Sequence, residues 1–318
     1  KLLETSIIFK QNYLNKLTKD ILPQNKNTQH FLITDSIVDK LYADKVLKRL
    51  RSLGFKVEKI VMPYGEQNKN MQTFIDLSNK VFENGLDRNT FLISLGGGVV
   101  NNIVGYMAST IYRGIGLIHI PTTVMAQLDA SIDFKQAINS EKGKNHFGSI
   151  YSASKIIIDT KVLKTLDKRQ IANGLSESIK HALTQNEELF GYLLRYTGKL
   201  KDDRFLHEVV KKTMDLKLLL LKEDTVHNEM IMQYGHCLGH VIEFLSGYEL
   251  LHGEAISIGM CISAEIGKLL NITDDKTLML HYKIFKKYGL PTKLPDNINS
   301  DKLITRLKYD KHFYGSIP

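Results

Sequence analysis

Cysteine is scarce in this chain. Its 318 residues include two, Cys237 and Cys261, both among apolar neighbours. That excludes a disulfide framework and fits a reducing, cytoplasmic setting. No window approaches the roughly 18 unbroken apolar residues of a transmembrane helix, so no membrane partner is expected. No charged n-region and apolar h-region open the chain, which begins at Lys1 rather than Met, as a trimmed start would. Internal repeats and low-complexity segments are missing, and so is any basic run interleaved with aromatics. The 43 Lys+Arg against 34 Asp+Glu give a formal charge of +9. Because the lysines are scattered, the excess reads as a solvated surface, and no nucleic-acid partner is expected. The chain does have 43% hydrophobic residues. At this length that suffices for a large core and about two domains.

The first half alternates short apolar runs with helical periodicity. Segments 30–35, 56–62, 90–95, 116–121 and 155–160 read as strands, and their near-continuous apolar character fits a parallel sheet covered on both faces. Between them, 36–54 and 70–85 place apolar residues three and four apart and close on a glycine. After about Thr165 the pattern is helical throughout. The expected architecture is α/β, with a Rossmann-like parallel-sheet domain over 1–163 followed by an all-helical domain over 164–318. Ligands of such sheets bind at the carboxyl ends of the strands, which puts the expected active site between the two domains.

Chemistry-bearing residues cluster in a few places. In "SLGGGVVNNIVGYMAST" three glycines follow a strand and open a helix. The backbone there can approach a pyrophosphate that faces the helix N-terminus, although a tight strand-to-helix turn would use the same residues. The string is not G-x-G-x-x-G. "IPTTV" (120–124) ends another strand with two hydroxyls, and "PYGEQNKN" (63–70) is a polar loop after the strand 56–62. His236 and His240, four apart, share a helix face, and such a pair alone is more often incidental than a ligand pair. His252 adds a third imidazole and Glu177 a carboxylate within a mildly apolar helix, where a surface charge is the plain alternative. Three protein ligands and one open position is what a catalytic metal requires. Asp129, Lys135, Lys144 and Asn145 lie in "DASIDFKQAINSEKGKN", and Arg113 closes "STIYRG". Such groups can hold a phosphate, though isolated lysines are commonly just solvated.

Together, "MPYGEQNKN", "GGGVVNNIVGYMASTIYRG", "IPTTVMAQLDAS", "KQAIN…GKN", "GLSESIKHAL", "QYGHCLGH" and "LHGEAISIGM" resemble, in order and spacing over roughly 60–280, the sugar phosphate cyclase family, of which 3-dehydroquinate synthase is the best-known member. The resemblance implies an NAD-binding first domain, a metal-binding helical second domain, a phosphorylated sugar substrate and a homodimer. It implies Glu177, His236 and His252 as ligands of one divalent metal, zinc or cobalt. Asp35, Glu66, Lys69, Gly97, Gly98, Val99, Asn102, Thr122, Thr123 and Lys144 would be NAD contacts. Asp129, Lys135, Asn145, Lys180, Lys217, Gln233 and His240 would face the substrate, and Arg113 would reach the partner subunit's substrate phosphate. The implied reaction is transient oxidation of an alcohol by NAD⁺, phosphate elimination, return of the hydride and an intramolecular aldol, with no net redox.

The chain departs from the dehydroquinate synthase pattern at several positions. Glu229 stands where an arginine helps hold the substrate carboxylate, Gln233 where asparagine is usual, Asn102 where aspartate is usual, and Asp133-Phe134 where two glycines are usual. An anion at 229 repels a carboxylate. Asn102 and "KQAIN" are closer to the 2-deoxy-scyllo-inosose synthases, which cyclise glucose 6-phosphate, although those carry Glu where Gln233 stands. Retention of both His236 and His240 makes the valiolone-type cyclases less similar, and they stand with 3-dehydroquinate synthase as alternatives. "KYDKHFYGSIP" resembles a phosphate-binding Asp-Lys-Lys segment, with His312 in place of the second lysine. Readings of other classes are a metal-dependent polyol dehydrogenase, which would release NADH, and a non-catalytic cyclase-like subunit, which would hold neither NAD nor metal.

Overall fold

The computed structural model describes residues 5–23, 27–222 and 226–309, with backbone alone at 226 and 227. The C-terminal "KYDKHFYGSIP" segment, from Asp310 onward, therefore lies outside the described residues. The chain divides into two compact units, one of Lys1–Ser140 with Asn145–Thr165, the other of Glu141–Lys144 with Leu166–Pro318. No described helix is long and apolar enough to cross a membrane.

The first unit is built on six parallel strands: β1 (Ser6–Lys10), β2 (Gln29–Asp35), β3 (Lys56–Met62), β4 (Phe91–Gly96), β5 (Gly116–Pro121) and β8 (Lys155–Asp159). Their order is β1-β8-β5-β4-β2-β3. The inner strands are buried almost end to end, Phe31, Leu32, Ile33, Leu92, Ile93, Ile118 and Ile157 among them. That is why they read as continuous apolar runs rather than alternating ones. The edge strand β3 is buried only at Val57, Ile60 and Met62.

From β2 the chain runs outward to β3, then crosses back to β4 on the other side of β2. The strand order reverses between β2 and β4, so the carboxyl ends of these two strands form the topological switch point where open α/β sheets bind ligands. Asp35 ends β2. Gly97 follows β4 and serves as the N-cap of helix Gly98–Thr110 without a side-chain cap.

A two-stranded sheet is formed by β6 (Lys135–Ser140) and β7 (Gly143–Ile150), the latter in the first unit from Asn145 onward. The two-residue connection requires antiparallel pairing. Neither strand was anticipated, and neither was β1. The helices expected over 36–54 and 70–85 are present. The first is interrupted by a π-turn at Asp39–Ala43, and the second spans Met71–Glu83, capped by the Asn70 side chain.

Beneath the switch point is a buried polar cluster. Ser94 Oγ lies 2.7 Å from His119 Nδ1 and accepts from Asn101 Nδ2 at 2.8 Å, while Gln136 Nε2 faces His119 Nε2 at 3.5 Å. An amide N–H pointed at Nε2 is compatible with a lone pair there and opposes a second ring proton. Burial lowers the His119 pKa to about 3. The unfolded chain therefore takes up a proton near pH 6.5 that the fold refuses. Stability is fully present above that pH and is lost as pH falls toward 3, by about 1.4 kcal/mol per unit. At pH 4.5 the cost is roughly 2–3 kcal/mol. In urea unfolding at pH 7 and 4.5, His119→Gln should flatten the decline by that amount. An equal decline in wild type and variant would refute the assignment.

The second unit, among the described residues, is helical: Lys168–Gln185, Glu187–Arg195, Asp203–Lys222, Val226–Gln233, His236–Leu245, His252–Leu269, Asp275–Lys287 and Ser300–Arg306. Short polar residues start several of these helices. Asp167 accepts from Gln170 N, Asn186 from Leu189 N and Asp274 from Thr277 N. The Lys168–Gln185 helix is buried without interruption from Ile171 to Ala182. Around it pack the His252–Leu269 helix and, further out, a cluster of Val241, Ile242, Ala255, Ile258, Ile298 and Leu303.

Candidate metal centre and cofactor loops

Glu177 and Lys180 are one helical turn apart on the Lys168–Gln185 helix and so share a face. Glu177 is 0% exposed. The helix His236–Leu245 starts directly after Gly235, whose φ of +76° is a left-handed conformation that favours glycine. Any Cβ at 235 would also crowd the backbone of Met260 and Ile256. That turn aims His236 at Glu177, with Nε2 3.2 Å from Oε1. His252 opens the His252–Leu269 helix and places Nε2 3.8 Å from the same oxygen. Candidate ligand atoms of Glu177, His236 and His252 all lie within 4.8 Å of one another. His240 joins the group, its ring centroid 5.4 Å from that of His236 and 5.7 Å from that of His252.

The donor set fits a divalent metal. Neither oxygen of the buried Glu177 carboxylate has a donor in hydrogen-bonding geometry, and its charge is met by Lys180 and the two facing imidazoles. Lys180 Nζ approaches Oε2 at 2.5 Å as an ion pair, while donating to Met232 O at 2.7 Å. Both imidazoles are oriented from behind, His236 Nδ1 by Tyr234 O at 3.2 Å and His252 Nδ1 by Glu243 Oε2 at 3.1 Å. With the Nδ1 protons engaged, both Nε2 lone pairs are available to a ligand. Burial raises the Glu177 carboxyl, but Lys180, His236 and His252 outweigh it and hold it well below the usual range. Burial, reinforced by Lys180, lowers the His236 pKa to about 4, so the ring is neutral at pH 7. One carboxylate and two imidazoles leave further coordination positions to water or substrate, as a catalytic metal site requires.

Lys217, on the Asp203–Lys222 helix, is also buried in this unit, and Gln233 is half-buried at the end of the Val226–Gln233 helix. Glu229, on the same helix, is exposed. Lys144 belongs to the second unit, its Nζ 2.6 Å from Glu243 Oε1.

In the first unit the residues expected to touch a dinucleotide sit on the loops after the strands. Lys69 is buried, and its Nζ donates to Asn102 Oδ1 at 2.7 Å and to Asn145 Oδ1 at 2.6 Å. Glu66 Oε1 accepts from Asn139 Nδ2 at 2.9 Å, and Asn139 Oδ1 accepts from Asn145 N at 3.0 Å. Asp35 caps its own helix through Ile37 N and Val38 N, and burial raises its pKa. Thr122 Oγ1, after β5, is buried without a hydrogen-bond partner, and the half-buried Thr123 follows it. Gly97, Gly98 and Val99 bring uncapped N–H groups of the helix start to the switch point, a cradle suited to pyrophosphate. Asp129 lies in the π-turn Ala126–Ala130, and Lys135 begins β6; both are half-buried. Arg113 is exposed, at φ +64° beside Tyr112 at φ +49°.

Three participants were not anticipated: Glu243, the Tyr234 carbonyl and Asn139. Glu243 did leave a signal, a lone carboxylate in "HCLGHVIEFL", seven residues after His236 and three after His240, hence on their face of the helix. The Tyr234 carbonyl left none, because every residue has one.

Residues 59–173 match the family described as 3-dehydroquinate synthase N-terminal, and residues 174–313 its C-terminal counterpart. A 3-dehydroquinate synthase of Thermoanaerobacter sp. (strain X514) is 37% identical over 311 residues, covering 96% of this chain and 87% of that protein. Two solved structures superpose closely. One is a 2-deoxy-scyllo-inosose synthase complexed with carbaglucose-6-phosphate, NAD⁺ and Co²⁺, with a TM-score of 0.84 at 26% identity over 96% of this chain and 85% of that one. The other is the 2-epi-5-epi-valiolone synthase of Streptomyces hygroscopicus subsp. jinggangensis 5008 with NAD⁺ and Zn²⁺ bound, with a TM-score of 0.88 at 26% identity over 96% and 86%. With a six-stranded NAD-type sheet, a Glu-His-His cluster in a helical unit and both parts of the family pattern across most of its length, this chain belongs to the 3-dehydroquinate synthase family of sugar phosphate cyclases.

Proposed function

We propose that this protein is an NAD⁺- and divalent-metal-dependent cyclase that eliminates phosphate from a sugar phosphate and closes a carbocycle. The observation that carries the reading is the buried Glu177 carboxylate facing two imidazoles whose Nδ1 atoms are already engaged. Glu177, His236 and His252 would hold zinc or cobalt. The loops bearing Asp35, Glu66, Lys69, Gly97, Gly98, Val99, Asn102, Thr122, Thr123 and Lys144 would serve NAD⁺. Bound there, the metal would supply Lewis acidity toward substrate oxygens, and NAD⁺ would take up and return one hydride. Lys180, fixed by Met232 O and Glu177, offers a buried cation beside the metal ligands, suited to negative charge developing on the substrate. Asp129, Lys135, Asn145, Lys217, Gln233 and His240 are the further substrate-facing groups, and Arg113 acts across a homodimer.

The substrate reading is a hexose phosphate without a carboxylate, of the glucose 6-phosphate kind. It rests on Glu229, an anion where a carboxylate-binding arginine would stand, and on Asn102. A second reading, 3-dehydroquinate synthase, is favoured by the 37% identical relative of that name. The test is phosphate release with NAD⁺ and Co²⁺ or Zn²⁺, using glucose 6-phosphate and 3-deoxy-arabino-heptulosonate 7-phosphate in parallel. Release from the hexose phosphate alone is expected. Release from the heptulosonate alone would overturn the substrate reading, and silence with both would overturn the cyclase reading for these substrates.

A further inference from the structure

The Glu243 carboxylate is buried among helices, 3% exposed, and has two named partners. Oε2 lies 3.1 Å from His252 Nδ1, and Oε1 lies 2.6 Å from the Nζ of Lys144, whose side chain is 7% exposed. The three groups form a chain of alternating charge and polarity, Lys144 to Glu243 to His252, ending where His252 Nε2 faces Glu177. His236 is oriented differently, by a neutral backbone carbonyl. The two imidazoles of the cluster are therefore not equivalent. A carboxylate behind a ligating imidazole fixes its tautomer, prevents ring rotation and increases the electron density at the opposite nitrogen. A carbonyl does the first two with less effect on basicity.

We infer that Glu243 is a positioning residue for the metal centre: it holds His252 as the Nδ1–H tautomer and makes it the stronger imidazole donor, with Lys144 compensating the charge of Glu243. The inference rests on the metal-centre reading above. Lys144 is needed because a buried carboxylate with only an imidazole for company would be costly. This gives Lys144 a role within the second unit that does not depend on a dinucleotide.

The test is competition for Zn²⁺ between the protein, stripped of metal, and a chromophoric chelator, on wild type, Glu243→Gln and the double variant Glu243→Gln/Lys144→Met. The double variant leaves no stranded buried charge, so its metal-free unfolding midpoint should stay close to that of wild type. Expected is one Zn²⁺ per wild-type chain, with affinity about 10- to 100-fold weaker in both variants. The visible spectrum of the Co²⁺ forms should change in both. Wild-type affinity in Glu243→Gln would overturn the inference. Recovery of wild-type affinity in the double variant would also overturn it, because the loss would then belong to the stranded Lys144 charge. Failure of wild type itself to hold a metal would instead overturn the metal-centre reading, and this inference with it.

Discussion

Glu177→Gln should reduce turnover by about 10³-fold or more and leave the protein without stoichiometric metal. The glutamine is nearly isosteric, so the change isolates charge. A neutral amide is a poor ligand, and the Lewis acidity thereby lost is worth several kcal/mol, each 1.4 kcal/mol being tenfold in rate. The same change strands the Lys180 ammonium, now 2.5 Å from a carboxylate oxygen, in a site where Lys180 is 2% exposed. Removing one partner of a buried pair costs about 3–5 kcal/mol of stability. Glu177→Gln combined with Lys180→Met separates the effects, since it relieves the stranded charge without restoring a ligand. Elemental analysis and phosphate release provide the measurement. One metal per chain in Glu177→Gln, with turnover within tenfold of wild type, would remove Glu177 from the metal centre.

Gly253→Ala should destabilise the second unit by about 3 kcal/mol or more and weaken the metal centre at the same time. Gly253 follows His252, and its N–H donates to Asn173 Oδ1 at 2.6 Å. A Cβ there would overlap the carbonyl oxygen of Asn173 and the hydroxyl of Ser176. The Asn173 oxygen is backbone of a helix buried from Ile171 to Ala182, so it cannot swing aside as a flexible side chain would. The clash must be relieved by moving the start of the His252–Leu269 helix, which carries His252 with it. A displacement near 1 Å at a catalytic group is enough to cost about 10²-fold. Urea unfolding and Zn²⁺ titration of the variant measure the two effects together. An alanine accepted with both unchanged would mean that the two helices do not pack this closely.

Both predictions turn on contacts that the sequence hints at unequally. The inner strands β2, β4, β5 and β8 were legible because burial on both faces of a parallel sheet selects unbroken apolar runs. β1 was not. Its five residues sit at the sheet edge, exposed at both ends and half-buried between, and their strand partner among the described residues, β8, lies some 150 residues away. β6 and β7 were not legible either, because "KQAINS" and "GKNHFGSI" are polar strings whose pairing comes from a two-residue connection. The glycine loop was visible as a string, and its placement at the switch point follows from the strand order.

For the metal centre, the residue types and the i, i+4 spacing of His236 and His240 were on display. The shared face of Glu177 and Lys180 follows from helical geometry alone. What the sequence by itself determined is therefore local: which segments are strands or helices, which faces are apolar, and which side chains can ligate or carry charge. These are properties of neighbours within a turn or a pleat. Only the tertiary structure decided that His252 and His236 converge on one Glu177 oxygen, that Glu243 backs His252 while a carbonyl backs His236, and that Lys144 answers Glu243. Apart from the carbonyl of Tyr234, two residues before His236, those pairings cross from 9 to 99 residues of chain. They are selected by packing and by the cost of leaving a buried charge unpaired, forces that act between segments the sequence order keeps apart.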